Sequence, residues 1–123
     1  MSPILPGDLQ FREKRTKVCQ KGILGLNWGT ALKGHVYFET VNGLVISYVV
    51  KLLVWIGADY YEVIRFDSAH GCPHKDILDP TGSVVRKVWF ELLDNQQGLN
   101  LAIKDLKDNY ELYIERFKKW LKE

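Results

Sequence analysis

Residues 36–50 read VYFETV-NG-LVISYVV. Two runs rich in β-branched and aromatic side chains flank Asn42-Gly43, the dipeptide that best tolerates the positive φ of a two-residue type I′ turn. A hairpin is predicted, with Val41 opposite Leu44, Thr40 opposite Val45, Phe38 opposite Ser47 and Tyr37 opposite Tyr48. By the two-residue period, Tyr37, Ile46, Tyr48 and Val50 share one face, continued by Leu52, Val54 and Ile56. Val49, Leu53 and Trp55 take the other face. Lys51 falls among them and must reach an edge or a partner.

Downstream, Gly57-Ala58-Asp59 marks a turn and Tyr60–Phe66 a third strand, antiparallel to the second. Tyr60, Glu62, Ile64 and Phe66 are expected on one side, with Tyr61, Val63, Arg65 and Asp67 on the other. Asp79-Pro80-Thr81-Gly82 has the Asp, Pro and Gly positions of a type I turn, joining Lys75–Leu78 to Ser83–Phe90. Asp94 and Gln97 form a capping-box pair ahead of apolar residues at helical spacing from Leu99 to Leu121. The predicted fold is α+β: an antiparallel meander of four or five strands over residues 36–91, one face covered by a long amphipathic helix at 94–122. Ile103, Leu106, Tyr110 and Phe117 are expected to be buried. Trp120 and Leu121 are expected to overhang the sheet edge as an apolar patch, favouring a homodimer through the helix.

At 123 residues the chain reads as a single domain. A hydrophobic share of 46% and a charged share of 26% are globular values. The net charge of +2 does not by itself imply nucleic-acid binding. The longest apolar run, Leu44–Ile56, contains Lys51 and is too short to span a bilayer, and Pro3, Pro6 and Asp8 interrupt any leader. Cys19 and Cys72 make no disulfide framework. A soluble cytoplasmic protein is expected. Residues 1–35 are basic and glycine-rich. Leu9, Phe11 and Val18 suit an edge strand there, and Arg12, Lys14, Arg15, Lys17 and Lys21 suit either a solvent-facing strand or a phosphate-contacting arm.

Residues 65–76, RFDSAHGCPHKD, bring two of the chain's three histidines together with Asp67, Cys72 and Asp76, the densest group of proton-moving and metal-ligating side chains in the sequence. Gly71 and Pro73 between His70 and His74 point to a shaped loop. Three readings stand side by side. In the first, His70 and His74 act as an acid–base pair on RNA with no metal or cofactor. One imidazole accepts the 2′-OH proton while the other protonates the leaving oxygen. Arg65 or Lys75 meets the phosphorane charge, Asp67 orients an imidazole, and Ser68 and Asp76 add binding contacts. In the second, an extended segment brings His70, Cys72 and His74 together as metal ligands, with Asp67 or Asp76 adding oxygen. In the third the cluster is structural: Asp67 caps the loop, His70 satisfies a carbonyl and Cys72 is a small hydrophobe.

This stretch resembles the R-x-D-x-A-H-x-x-P-H core of small archaeal and bacterial proteins. The layout of a meander ending in one helix, over roughly residues 44–120, looks like the TumE-like toxins of toxin–antitoxin modules. Arg65, Asp67, His70 and His74 occupy the motif positions. Gly71 after His70, and Asp76 two after His74, depart from the histidine-richer toxin pattern. The resemblance implies a toxin-like ribonuclease with an antitoxin-like partner. The alternative is a non-enzymatic protein that binds a partner or dimerises.

Overall fold

A computed structural model describes residues 15–21, as backbone, and 32–122. Six strands form one sheet whose spatial order is the chain order: β1 Arg15–Lys21, β2 Leu32–Val41, β3 Leu44–Ile56, β4 Asp59–Asp67, β5 His74–Leu78 and β6 Val84–Trp89. Every neighbouring pair is antiparallel. One long helix, α1, Asn95–Leu121, follows. The α+β architecture is the expected one. The sheet has six strands because Arg15–Lys21 pairs along β2 as an edge strand. Leu9, Phe11, Arg12 and Lys14 lie outside the described residues.

The β2–β3 turn is as read: Asn42 and Gly43 both have positive φ, 51° and 81°. Val41 faces Leu44 and Thr40 faces Val45. Beyond them the expected register fails. Ile46 is an unpaired extra residue, so Glu39 faces Ser47, Phe38 faces Tyr48 and Tyr37 faces Val49. Val36 and Phe38, and not Tyr37, therefore share the core face with Tyr48 and Val50. Replacing both Asn42 and Gly43 by valine forces two β-branched residues to positive φ, a strain on the order of 1–3 kcal/mol each. The urea midpoint of the double variant should fall accordingly; an unchanged midpoint would mean that the turn is not what holds this hairpin.

A second bulge corrects the faces of β4. Leu53 faces Glu62 and Leu52 faces Ile64, leaving Val63 as the extra residue. Tyr61 thus joins Ile64 and Phe66 on the core face, its ring 5.4 Å from that of Phe117. Glu62 turns to the opposite face with Lys51 and Arg65. Lys51 reaches Glu62 at 3.9 Å, the partner its position demanded.

The core lies between the sheet and α1: Val36, Tyr48, Val50, Leu52, Val54, Ile64 and Phe66 meet Leu99, Ala102, Leu106, Ile114 and Phe117. Ile103 and Tyr110 are only half-buried, because the seam runs through Leu99, Ala102 and Leu106 instead. The helix begins with the expected capping box. Asp94 Oδ1 accepts from Gln97 N at 2.8 Å, and Gln97 Oε1 accepts from Asp94 N at 3.0 Å. Asn95 Nδ2 donates to the carbonyl of the bulged Ile46 at 3.2 Å. Gly98 permits close docking: a Cβ there would run into the Tyr48 hydroxyl and lie 2.8 Å from Pro73 Cβ. The last turn does not overhang. Trp120 packs half-buried on the core, and with Leu121 it lines a cavity against Asp79, Pro80, Thr81 and Val85. No helix of the described residues is long and apolar enough to cross a membrane.

Candidate functional site

The sheet face turned away from α1 carries the polar cluster. Strand pairing sets it out in rows: Lys51 opposite Arg65, Arg65 opposite Asp76, Asp67 opposite His74, Asp76 opposite Lys87 and His74 opposite Trp89. Directly opposed residues of an antiparallel pair lie on the same face, so these side chains meet. Arg65 and Asp67 emerge on the same side of β4, as the sequence suggested.

His74 is the centre. It is 2% exposed, and Asp67 and Asp76 beside it are 8% and 6%. His74 Nδ1 is 3.0 Å from the Cys72 carbonyl oxygen. A carbonyl only accepts, so Nδ1 carries its hydrogen and Nε2 faces the acids: Asp67 Oδ1 at 3.0 Å and Asp76 Oδ2 at 3.7 Å. Asp67 Oδ1 also accepts from Ala69 N at 2.8 Å. It thereby holds the short 3₁₀ turn Ala69–Gly71, whose exit needs Gly71 at φ 76°. Lys87 Nζ stands 3.4 Å from Asp76 Oδ1, without the geometry of a hydrogen bond. Trp89 lies over His74, ring centroids 4.9 Å apart, and is 45% exposed; Lys87 sits 5.2 Å above the same ring.

The other nominated residues fall into three groups. Arg65 belongs to this face, its Nε 3.0 Å from Glu62 Oε1, though the N–H does not point at that oxygen. Lys75 lies on the helix face, donating to Asp105 Oδ2 at 3.2 Å and to the Tyr113 hydroxyl at 3.4 Å. Tyr113 in turn donates to Asp105 Oδ1, and burial together with that carboxylate pushes its phenol well above the ordinary tyrosine range. Ser68 is buried between strands: its hydroxyl accepts from Tyr48 N at 3.0 Å and its N–H donates to Tyr48 O at 3.3 Å. The Tyr48 phenol is raised by burial first, then by the nearby Asp67 and Cys72.

The backbone of His70 occupies the middle of the 3₁₀ turn, and its side chain lies outside what the structure describes. That turn breaks the extended alternation on which convergence of His70, Cys72 and His74 depended. Cys72 is half-buried, with Sγ 3.6 Å from its neighbour's carbonyl, Pro73 O. The histidine–carboxylate cluster that the described residues bring together is Asp67, His74 and Asp76.

Lys87 and Trp89 were not read as site residues. The signal was the Asp79–Gly82 hairpin, which pairs β6 with β5. A plain count from Leu78 opposite Val84 puts Arg86 opposite Asp76; the extra residue Val85 moves Lys87 there and Trp89 opposite His74.

Residues 27–123, which contain this whole face from β2 to α1, match a domain of unknown function, DUF7718. The chain belongs to the DUF7718 family. No curated protein and no solved structure matches it. The part of the chain outside the DUF7718 match, residues 1–26, includes β1, so the family's own portion begins just ahead of β2.

Proposed function

We propose that this DUF7718 domain is a small, toxin-like ribonuclease acting on RNA at the β4–β6 face. The observation that carries the reading is the pairing of an exposed aromatic ring with cations on that face: Trp89 beneath Lys87, with Arg65 and Lys51 on the same side. A base stacked on an indole with its phosphate held by neighbouring cations is the usual way a single-stranded nucleic acid is gripped, each stack worth about 1–3 kcal/mol. Arg65 and Lys87 meet the charge that grows on phosphorus as the 2′-oxygen attacks. His70 transfers the proton at one of the two exchanging oxygens, with water serving the other. His74 is too buried to touch substrate. It acts through Asp67, whose carboxylate fixes the turn that carries His70, and is a positioning residue. Such an enzyme works in the cytoplasm beside an antitoxin-like protein that restrains it.

The partner-binding alternative rests on β6. Among the described strands it has a neighbour on one side only, and Val84 and Val85 are exposed along it. An open edge of this kind accepts a further strand from a partner.

Purified protein incubated with single-stranded, duplex and transfer RNA, both with and without excess EDTA, tests the enzyme. Cleavage is expected, and Trp89→Ala should weaken RNA binding roughly 5- to 150-fold by removing one stack. Failure of the wild type to cut any of the three would remove the ribonuclease and leave the partner-binding reading.

A further inference from the structure

We propose that Asp67, His74 and Asp76 bind one divalent first-row transition ion, Zn²⁺ or Mn²⁺, which clamps β4 to β5. One imidazole nitrogen and two carboxylates are the mixed donor set that such ions accept. The ligand atoms these residues offer all lie within 4.8 Å of one another. Two atoms bound to one ion at about 2.1 Å stand about 3.0 Å apart at an octahedral edge and about 3.4 Å apart in a tetrahedron. The separations from His74 Nε2, 3.0 Å to Asp67 and 3.7 Å to Asp76, bracket those values.

Three further observations point at an ion. The Nδ1–H of His74 is spent on the Cys72 carbonyl, the outer contact by which ligating histidines are held with Nε2 toward the metal. Ala69 N gives Asp67 a comparable support. The Asp76 side chain is more than nine-tenths buried, yet its Oδ1 makes no hydrogen bond. That oxygen can complete the coordination, or stay paired with Lys87 while Oδ2 binds.

All three ligands are buried, which is the character of a structural ion, whereas catalytic sites keep an open position for substrate. The ion therefore ties His74 on β5 to Asp67 at the end of β4 and, through Asp67, to the 3₁₀ turn. RNA chemistry does not pass through it. The proposal stands apart from the ribonuclease reading.

The test uses full-length protein stripped with EDTA and then given ZnCl₂ or MnCl₂. Native mass spectrometry should count one ion per chain. At a free ion concentration a hundredfold above Kd, Tm should rise by about 10 °C. Asp76→Asn should weaken binding at least tenfold, and Cys72→Ser should leave it unchanged. Should the Asp76 variant fail to fold, the wild type still reports. Mn²⁺ is paramagnetic and should broaden the indole N–H resonance of Trp89, the ring against His74; Trp89→Phe identifies that resonance. Protein that binds neither ion at millimolar concentration overturns the proposal and leaves Asp67, His74 and Asp76 as a purely structural polar cluster between β4 and β5. Binding that disappears in Cys72→Ser and survives in Asp76→Asn overturns it as well.

Discussion

Phe117→Ala is expected to lower the free energy of unfolding by about 3–5 kcal/mol, the range for losing a buried phenylalanine side chain. Phe117 is fully buried three turns after Leu106, against the ring of Tyr61. Its removal leaves a cavity beneath the helix that its neighbours cannot close. The helix is tied at its start by the capping box and by Asn95 on Ile46, so the far end cannot slide to fill the space. Loss of the tilted ring pair with Tyr61 adds about 0.5–1.5 kcal/mol to the area term within that range. Leu112→Ala is the control: the side chain is exposed, and its loss should stay within about 0.5 kcal/mol. Urea denaturation separates the two. Equal midpoints for both variants would mean that α1 does not dock through Phe117.

His70→Ala should slow RNA cleavage by roughly 10²- to 10⁴-fold, the usual contribution of a positioned acid or base, with the melting temperature close to wild type. Added imidazole should restore part of the variant's rate, because free base replaces the missing ring; a structural defect would not respond. His74→Ala is expected to behave differently. It removes the group between Asp67 and Asp76, so melting temperature and activity should fall together and imidazole should rescue neither. Full activity in His70→Ala, from a wild type that cuts RNA, would move the reacting group elsewhere on the face.

What the sequence disclosed followed from local chemistry. Asn42-Gly43, Asp79-Pro80-Thr81-Gly82 and the Asp94–Gln97 box each carry their conformation in the residues themselves, and each is found as read. What it concealed came from three single-residue bulges, at Ile46, Val63 and Val85. Each is an apolar or β-branched residue in a strand that already reads as apolar, so nothing in composition marks it. Because side chains alternate with period two, one unmarked residue reverses every face assignment beyond it. That is how Tyr37 was given the place of Val36 and Phe38, and Glu62 the place of Tyr61. The site suffered in the same way. Arg65, Asp67, His74 and Asp76 were named from residue type, but the partners Lys87 and Trp89 come from β6, whose register depends on Val85. Lys75 was grouped with its neighbours in sequence, although alternation along β5 sends it to the helix.

Strand order equal to chain order has a consequence for the route to the native state. Each strand from β3 to β6 meets its predecessor across a connection of two to six residues, so closing this part of the sheet costs little loop entropy at any step. The contacts that span long stretches of chain are those of α1 with β3 and β4. A meander zipped from the Asn42-Gly43 turn outward is thus the economical early event, with helix docking late. In such an order the Asp67–His74 contact, made between adjacent strands, assembles before the helix covers the opposite face. Substitutions along the α1 seam should then be felt mainly as faster unfolding, and substitutions at the hairpin turn as slower folding.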